Sequence, residues 1–161
     1  MIVPDTYKYN SVDIAKAIVA YANENKYVIN MTKIQKLLFI VYGVFLAVKT
    51  ERLIDEHPQA WPYGPVFPTT RNKLLKLEFS SISWEESSLQ AIHKDKEVLS
   101  LLGLVFRTYG ANNAASLVEW THQSGSPWTQ TTKMPNFQWG DRIPDEFIYN
   151  YFNSIIVRNV G

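Results

Sequence analysis

The sequence predicts a mainly α, compact single-domain globule of about five to seven helices around a central apolar helix (about residues 33–49), with at most a small β element. Three observations predict it. Apolar residues recur at helical spacing in several separated segments. One of these, Leu37–Val48, is apolar on nearly every side, as a helix in the middle of a fold should be. The 161 residues contain no internal repeat, low-complexity tract or long polar linker, so residues 1–161 read as one domain.

The first helix is expected over "SVDIAKAIVAYANENK". Ser11 can cap it, and Asp13 lies in the first turn, where the helix dipole favours a negative charge. Ile14, Ala15, Ile18, Val19 and Ala22 make its apolar stripe, and Asn23, Asn25 and Lys26 mark its exit. The second helix is expected over "TKIQKLLFIVYGVFLAVKT", with Thr32 and Gln35 at capping-box spacing. Ile34, Leu37, Leu38, Val41, Phe45 and Val48 follow the helical period, while Ile40, Leu46 and Ala47 make the far side apolar. Gly43 costs such a helix ~1 kcal/mol relative to alanine, which argues for close approach of a neighbouring element. The uncharged run Leu37–Val48 is shorter than the ~20 apolar residues of a membrane span.

"ERLIDEHPQAW" reads as a loop or short extended piece. Pro68 suits a first helical turn, and "TTRNKLLKLE" continues as a helix. "FSSISW" alternates as a short strand would. "KDKEVLSLLGLVFRTYG" is a helix with Val98, Leu101, Leu102, Val105 and Phe106 on one face and Gly110 as its stop. "NAASLVEWTHQSG" is another, capped by Asn113 and ended by Gly125. "SPWTQTTKMPNFQWGDRIP" is a long irregular segment. A last helix begins at Pro144, with Asp145 and Glu146 in its first turn.

Composition narrows the chemistry. A formal net charge of +1 provides no global field for nucleic acid or an anionic membrane, so a nucleic-acid site would have to be a local patch. The absence of cysteine excludes disulfides, Cys-ligated zinc, iron–sulfur clusters and a thiol nucleophile, and it fits a cytoplasmic protein. "MIVPDTYKYN" lacks the charged n-region and apolar run of a signal peptide. Of the three histidines, only His122 shares a helix face with a carboxylate, Glu119 at i, i+3, and two ligands do not make a metal site. There His122 reads as a helix-end residue, favourable to the dipole when protonated. "HQSGSPW" is not a nucleophile elbow. Asp55–Glu56 and Glu85–Glu86 read as solvated pairs. The expectation is a protein without catalytic residue, metal or cofactor. Arg71, Lys73 and Lys76 form a short basic strip, the candidate partner-binding residues; three such charges are common on surface helices, and nucleic acid is not an expected partner.

The segment "AWPYGPVFPTT" carries the strongest local punctuation. Gly64 permits a positive φ or close backbone approach. Pro62 and Pro65 fix φ and restrict their neighbours. Trp61 and Tyr63 are thereby aimed with little conformational entropy to lose. Such a joint either holds a helix start against the core, the favoured reading, or presents aromatics to a partner.

"KIQKLLFIVYGVFLA", "AWPYGPVFPTT" and "LVEWTHQSGSPW" together resemble, in order and spacing, the three blocks of the Panacea antitoxin domain, the SocA-like and phage-associated GepA-like family. The matching positions are Lys33, Gln35, Lys36, Leu37 and Leu38; Trp61, Tyr63, Gly64, Pro65, Val66 and Pro68; and Thr121, His122, Pro127 and Trp128. The resemblance implies that these are structural. Thr70 and Arg71 depart from the apolar or aromatic pair often found there, and Val118 from a common serine. The resemblance further implies a mainly helical bacterial or prophage protein that neutralises a cognate toxin, encoded beside it, by direct contact. It implies no membrane partner. A SocA-like member is linked to delivery of its toxin to a cytosolic protease, so a protease is a second implied partner. The rival readings are a phage-associated nucleic-acid-binding regulator and an uncharacterised enzyme.

Overall fold

A 19-residue helix, α2 (Met31–Lys49), runs through the centre of the protein. The computed structural model describes residues 3–160. Every side chain of α2 from Lys33 to Tyr42 is buried. A helix apolar on all faces is stable in water only when every face is covered. α8 (Asp145–Val160) covers it most extensively, and α1 (Ser11–Glu24), α5 (Lys96–Tyr109), α6 (Ala114–Thr121) and the strand β4 (Gly64–Val66) cover the rest. By length and composition α2 is the one helix among the described residues that meets the requirement for crossing a bilayer. Its apolar window is 78% buried inside the fold, which marks it as a core helix. Burial therefore decides the matter, where the sequence reading relied on the length of the uncharged run.

The fold is mainly α, as the sequence predicts. Eight α-helices are described, among them short ones at α3 (Pro68–Leu74), α4 (Gln90–His93) and α7 (Pro127–Thr132). The β structure is small. β1 (Tyr7–Tyr9) pairs in parallel with β2 (Arg52–Ile54), with Tyr7 opposite Arg52 and Tyr9 opposite Ile54. β3 (Gln59–Trp61) and β4 form an antiparallel hairpin, with Ala60 opposite Pro65 and Trp61 opposite Gly64. The 140–142 segment adds to the other edge of β3: Ala60 N–H donates to Asp141 O (2.8 Å) and Gly140 N–H to Ala60 O (2.8 Å).

Several local expectations shift, each for a physical reason. The caps of α1 and α2 are Asn10 and Asn30, whose side chains accept from Val12 N–H (2.9 Å) and Lys33 N–H (2.9 Å). Ser11 does not cap because it is buried, with its N–H on Asp55 (2.8 Å) and its hydroxyl on Glu56 (3.1 Å). The Thr32–Gln35 capping box does not form, because Gln35 is drawn into the core to accept from Phe67 N–H (2.7 Å). Asp55 and Glu56 are therefore not a solvated pair. The Glu56 carboxylate accepts from Thr69 N–H (2.6 Å), Thr70 N–H (3.1 Å) and the Thr70 hydroxyl (2.7 Å), and so caps the start of α3. Glu86 is likewise engaged, with Lys16 at 2.5 Å.

Phe79–Ser81 is a 3-10 turn and no strand is formed. The Asn23 amide donates to Phe79 O (2.8 Å) and Ile82 O (2.9 Å), which takes up carbonyls that a ladder would need. The helix expected through Gly125 stops at Thr121, and the irregular segment after it contains α7. Ser126 caps α7 by accepting from Thr129 N–H (3.1 Å), with Pro127 in the first turn. Gly43 meets its expectation. A Cβ there would overlap the ring of Phe152 on α8, lying 2.7 Å from its Cζ.

Candidate partner-binding face at the Trp61–Gly64 hairpin

The hairpin is held from below by backbone contacts. Gly64 has φ +112°, a conformation that side chains disfavour. A Cβ there would also lie 2.7 Å from Thr121 Oγ1 and 2.8 Å from Lys36 Cε. Glycine thus serves both the turn and the close approach of α2 and α6. Lys36, buried on α2, extends beneath the hairpin and donates to Pro65 O (3.0 Å). Gln35 holds the next residues through Phe67 N–H, and Lys33 donates to Gly110 O (2.6 Å) at the end of α5. Leu37 and Leu38 are fully buried, Val66 is buried, and Pro68 opens α3.

An aromatic stack lies across the hairpin. The His122 ring stacks on Trp128 at 3.8 Å, and Trp128 stacks on Trp139 at 6.1 Å. Trp128 Nε1–H donates to Trp61 O (2.8 Å), which ties α7 to β3. Pro127 is buried and Thr121 donates to Val118 O (2.7 Å), so both hold the stack from the α6–α7 side. Arg71 lies with its guanidinium 5.7 Å above the Trp61 ring.

Exposure divides these residues. Tyr63, at the tip of the hairpin, is 75% exposed and Trp139 is 57% exposed. Trp61 and Trp128 are half-buried, where the packing reading expected burial. Trp128 packs against the edge of the core and Trp61 is tied to it through the Trp61 carbonyl, so both lie at the margin of the core instead of inside it. Arg71 is half-buried over Trp61, while Lys73 and Lys76 are exposed. Trp139 was missed in the sequence, where it lies in the segment read as irregular. The signal was "NFQWG", in which Gly140 at φ +96° turns the chain alongside β3.

The electrostatics beneath the face are unusual. Burial pushes the Lys36 ammonium down to about 8. Burial also lowers His122, and the nearby Lys36 charge lowers it further. Both effects favour the neutral ring, which weakens the dipole contact expected of a protonated His122 at the helix end. Its Nε2 is buried without a hydrogen-bond partner among the described residues. The Trp128→Ala variant should lose about 2–3 kcal/mol, less than a fully buried tryptophan, because part of the indole is already in water. Trp128→Phe should recover the stacking but not the bond to Trp61 O. Thermal melts of the two variants check this, and equal melting of both with the unmodified protein would refute it.

Residues 34–129 match the family model described as antitoxin SocA-like, Panacea domain. The chain belongs to this family. It is also 28% identical over 139 residues to Antitoxin SocA of Caulobacter vibrioides, a match covering 74% of this chain and 69% of that protein. No solved structure matches it. The Panacea match takes in the hairpin, α6 and the start of α7, and so includes Trp61, Gly64, Thr121, His122 and Trp128. It ends before Trp139, so the exposed end of the stack lies outside the matched region.

Proposed function

We propose that this chain is a non-catalytic antitoxin that binds a cognate protein toxin, encoded by an adjacent gene, and masks the toxin's working surface. Membership of an antitoxin family supports the role, and one feature of the fold supports the surface. Tyr63 and Trp139 are large, exposed aromatics carried on a scaffold fixed by buried backbone contacts, with the Arg71 cation of α3 over Trp61. Interfaces concentrate binding energy in such aromatic and arginine anchors, and rigid anchors lose little entropy on binding. Lys73 on α3 and Lys76 just past its end are exposed and add positive charge near this face, which suits an acidic patch on the toxin. The chain acts in this reading as a cytoplasmic binding module.

The test is co-expression with the product of the neighbouring gene, read by growth and by pull-down. Arg71→Glu with Lys73→Glu should lower stability by no more than about 1 kcal/mol, the loss of one half-buried cation–π contact. It should nevertheless weaken neutralisation. Tyr63→Ala and Trp139→Ala should weaken it further without unfolding the protein. Full rescue by all of these variants would move the interface off this face. Tight, salt-sensitive binding of RNA or DNA, lost in the charge-reversed variant, would replace the toxin reading with a nucleic-acid one.

A further inference from the structure

A second surface, separate from the hairpin, lies between the C-terminal half of α2 and α5. It is a cleft of about 460 Å³ lined by Val44, Phe45 and Val48 of α2 and by Ser100, Leu101 and Leu104 of α5. A smaller hollow of about 90 Å³ continues it past Val44 and Leu104 to Tyr109 and to Ile155 and Ile156 of α8. Val48 is 60% exposed and Leu104 48% exposed, although both are aliphatic. The charges lining the cleft are all at one end. There Lys49 pairs with Glu97 (2.8 Å) across the two helices, and Lys96 stands beside them, exposed and without an ion-pair partner among the described residues. Among the described residues, the other end, past Leu104, is lined by no charged residue.

The geometry points to a docking groove for an apolar helix of a partner protein that carries an acidic residue at the end lying on Lys96. Three features select this occupant. The α5 residues along the trough run from Glu97 to Thr108, ~16 Å at the helical rise, which is about three turns of a docked helix. A helix of that length places anchors at i, i+3 or i+4 and i+7, the recurring pattern of helix-in-groove recognition. With Glu97 paired to Lys49, the charge left over among the described lining residues is the Lys96 cation, which an acidic side chain complements. The trough is open along its length. A fatty acid would leave one side of its chain in water, whereas pockets for small molecules enclose most of the ligand. A second copy related by a two-fold axis would bring concave against concave, leaving the trough unfilled. This inference does not depend on the toxin-binding reading and is tested without toxin.

The probe is a fluorescently labelled 15-residue helical peptide, with leucines at i, i+3 and i+7 and a glutamate at one end, measured by anisotropy against the whole protein. A peptide of the same composition in scrambled order is the control. The designed peptide should bind and the control should not. Leu104→Glu should weaken binding about tenfold or more, the scale of a lost anchor. Lys96→Glu should weaken it about threefold to fivefold, and a peptide with lysine in place of its glutamate should restore it. Ser100→Trp fills the trough without adding charge and should also block binding; far-UV circular dichroism confirms that each variant is folded. Peptide binding unaffected by these variants would overturn the proposal. So would palmitate binding in the absence of peptide binding, or a dimer in sedimentation that Leu104→Glu dissolves.

Discussion

Gly43→Ala is expected to lower stability by roughly 2–4 kcal/mol, despite alanine being the better helix former by ~1 kcal/mol. The added methyl would overlap the Phe152 ring, which is 1% exposed. That ring cannot simply turn aside. It meets Phe39 at 5.8 Å and Tyr151 at 5.6 Å, both edge-on, and Trp120 at 6.0 Å. The methyl must therefore push α2 and α8 apart along their most extensive contact, or drive Phe152 from its rotamer. For a chain of this length the melting temperature should fall by about 5–15 °C. Phe152→Leu introduced together with Gly43→Ala should cost less than the sum of the two single changes, since the smaller side chain admits the methyl. A single Gly43→Ala variant that melts at or above the unmodified protein would show that the helices are not in contact there.

Stability should rise with pH above about 8, because of Lys36. Its ammonium is buried against one carbonyl, Pro65 O, and burial is what makes its charge costly. Unfolded, a lysine keeps its proton to ~10.4; folded, Lys36 releases it at about 8. Between these values the unfolded chain binds more protons, so raising the pH stabilises the fold, by up to roughly 3 kcal/mol. Lys33, also lowered by burial, adds in the same direction. The rise ends near pH 10, where tyrosines ionise on unfolding while Tyr9, Tyr42 and Tyr109 are held protonated in the fold. Denaturant titrations across this range check the slope. Lys36→Met should flatten it and be more stable than the unmodified protein at pH 7, with the unpaired Pro65 carbonyl offsetting part of the gain. An unchanged slope in that variant would assign the buried proton to another group.

The helices built on periodic apolar stripes were legible in the sequence because one face of each answers to the core alone. α1, α2, α5 and the close approach at Gly43 are of this kind. What escaped was set by partners far along the chain. The caps moved from Ser11 and Thr32 because Asp55, Glu56 and Phe67 recruit the side chains that would have served locally. Thr70, a departure from the family pattern, is fully buried yet satisfied by Glu56 and by the Ser11 hydroxyl (2.8 Å). α7 escaped because Thr129, Thr131 and Thr132 are poor helix formers in isolation. Their hydroxyls bond to backbone carbonyls here, as Thr131 does to Pro127 O (2.8 Å). At the candidate face, the Pro-Gly joint and the motif tryptophans were legible, but the hairpin that the joint forms was not. Nor was Trp139, which only the pairing of the 140–142 segment with β3 brings to the stack.

The place of α2 also bears on how the protein is made. Its principal neighbour, α8, begins at Asp145, nearly a hundred residues after α2 ends at Lys49. At a synthesis rate of ~5–20 residues per second, the most apolar helix of the chain emerges ~5–20 s before the surface that will cover it. During that interval the early helices can shield only part of it. The Phe39–Gly43 side remains open until the last segment arrives. Closing so long a loop also costs entropy before the α2–α8 contacts can offset it. A protein built around a central helix with a late partner thus carries its greatest hazard in the seconds of its own synthesis, well before any partner is met.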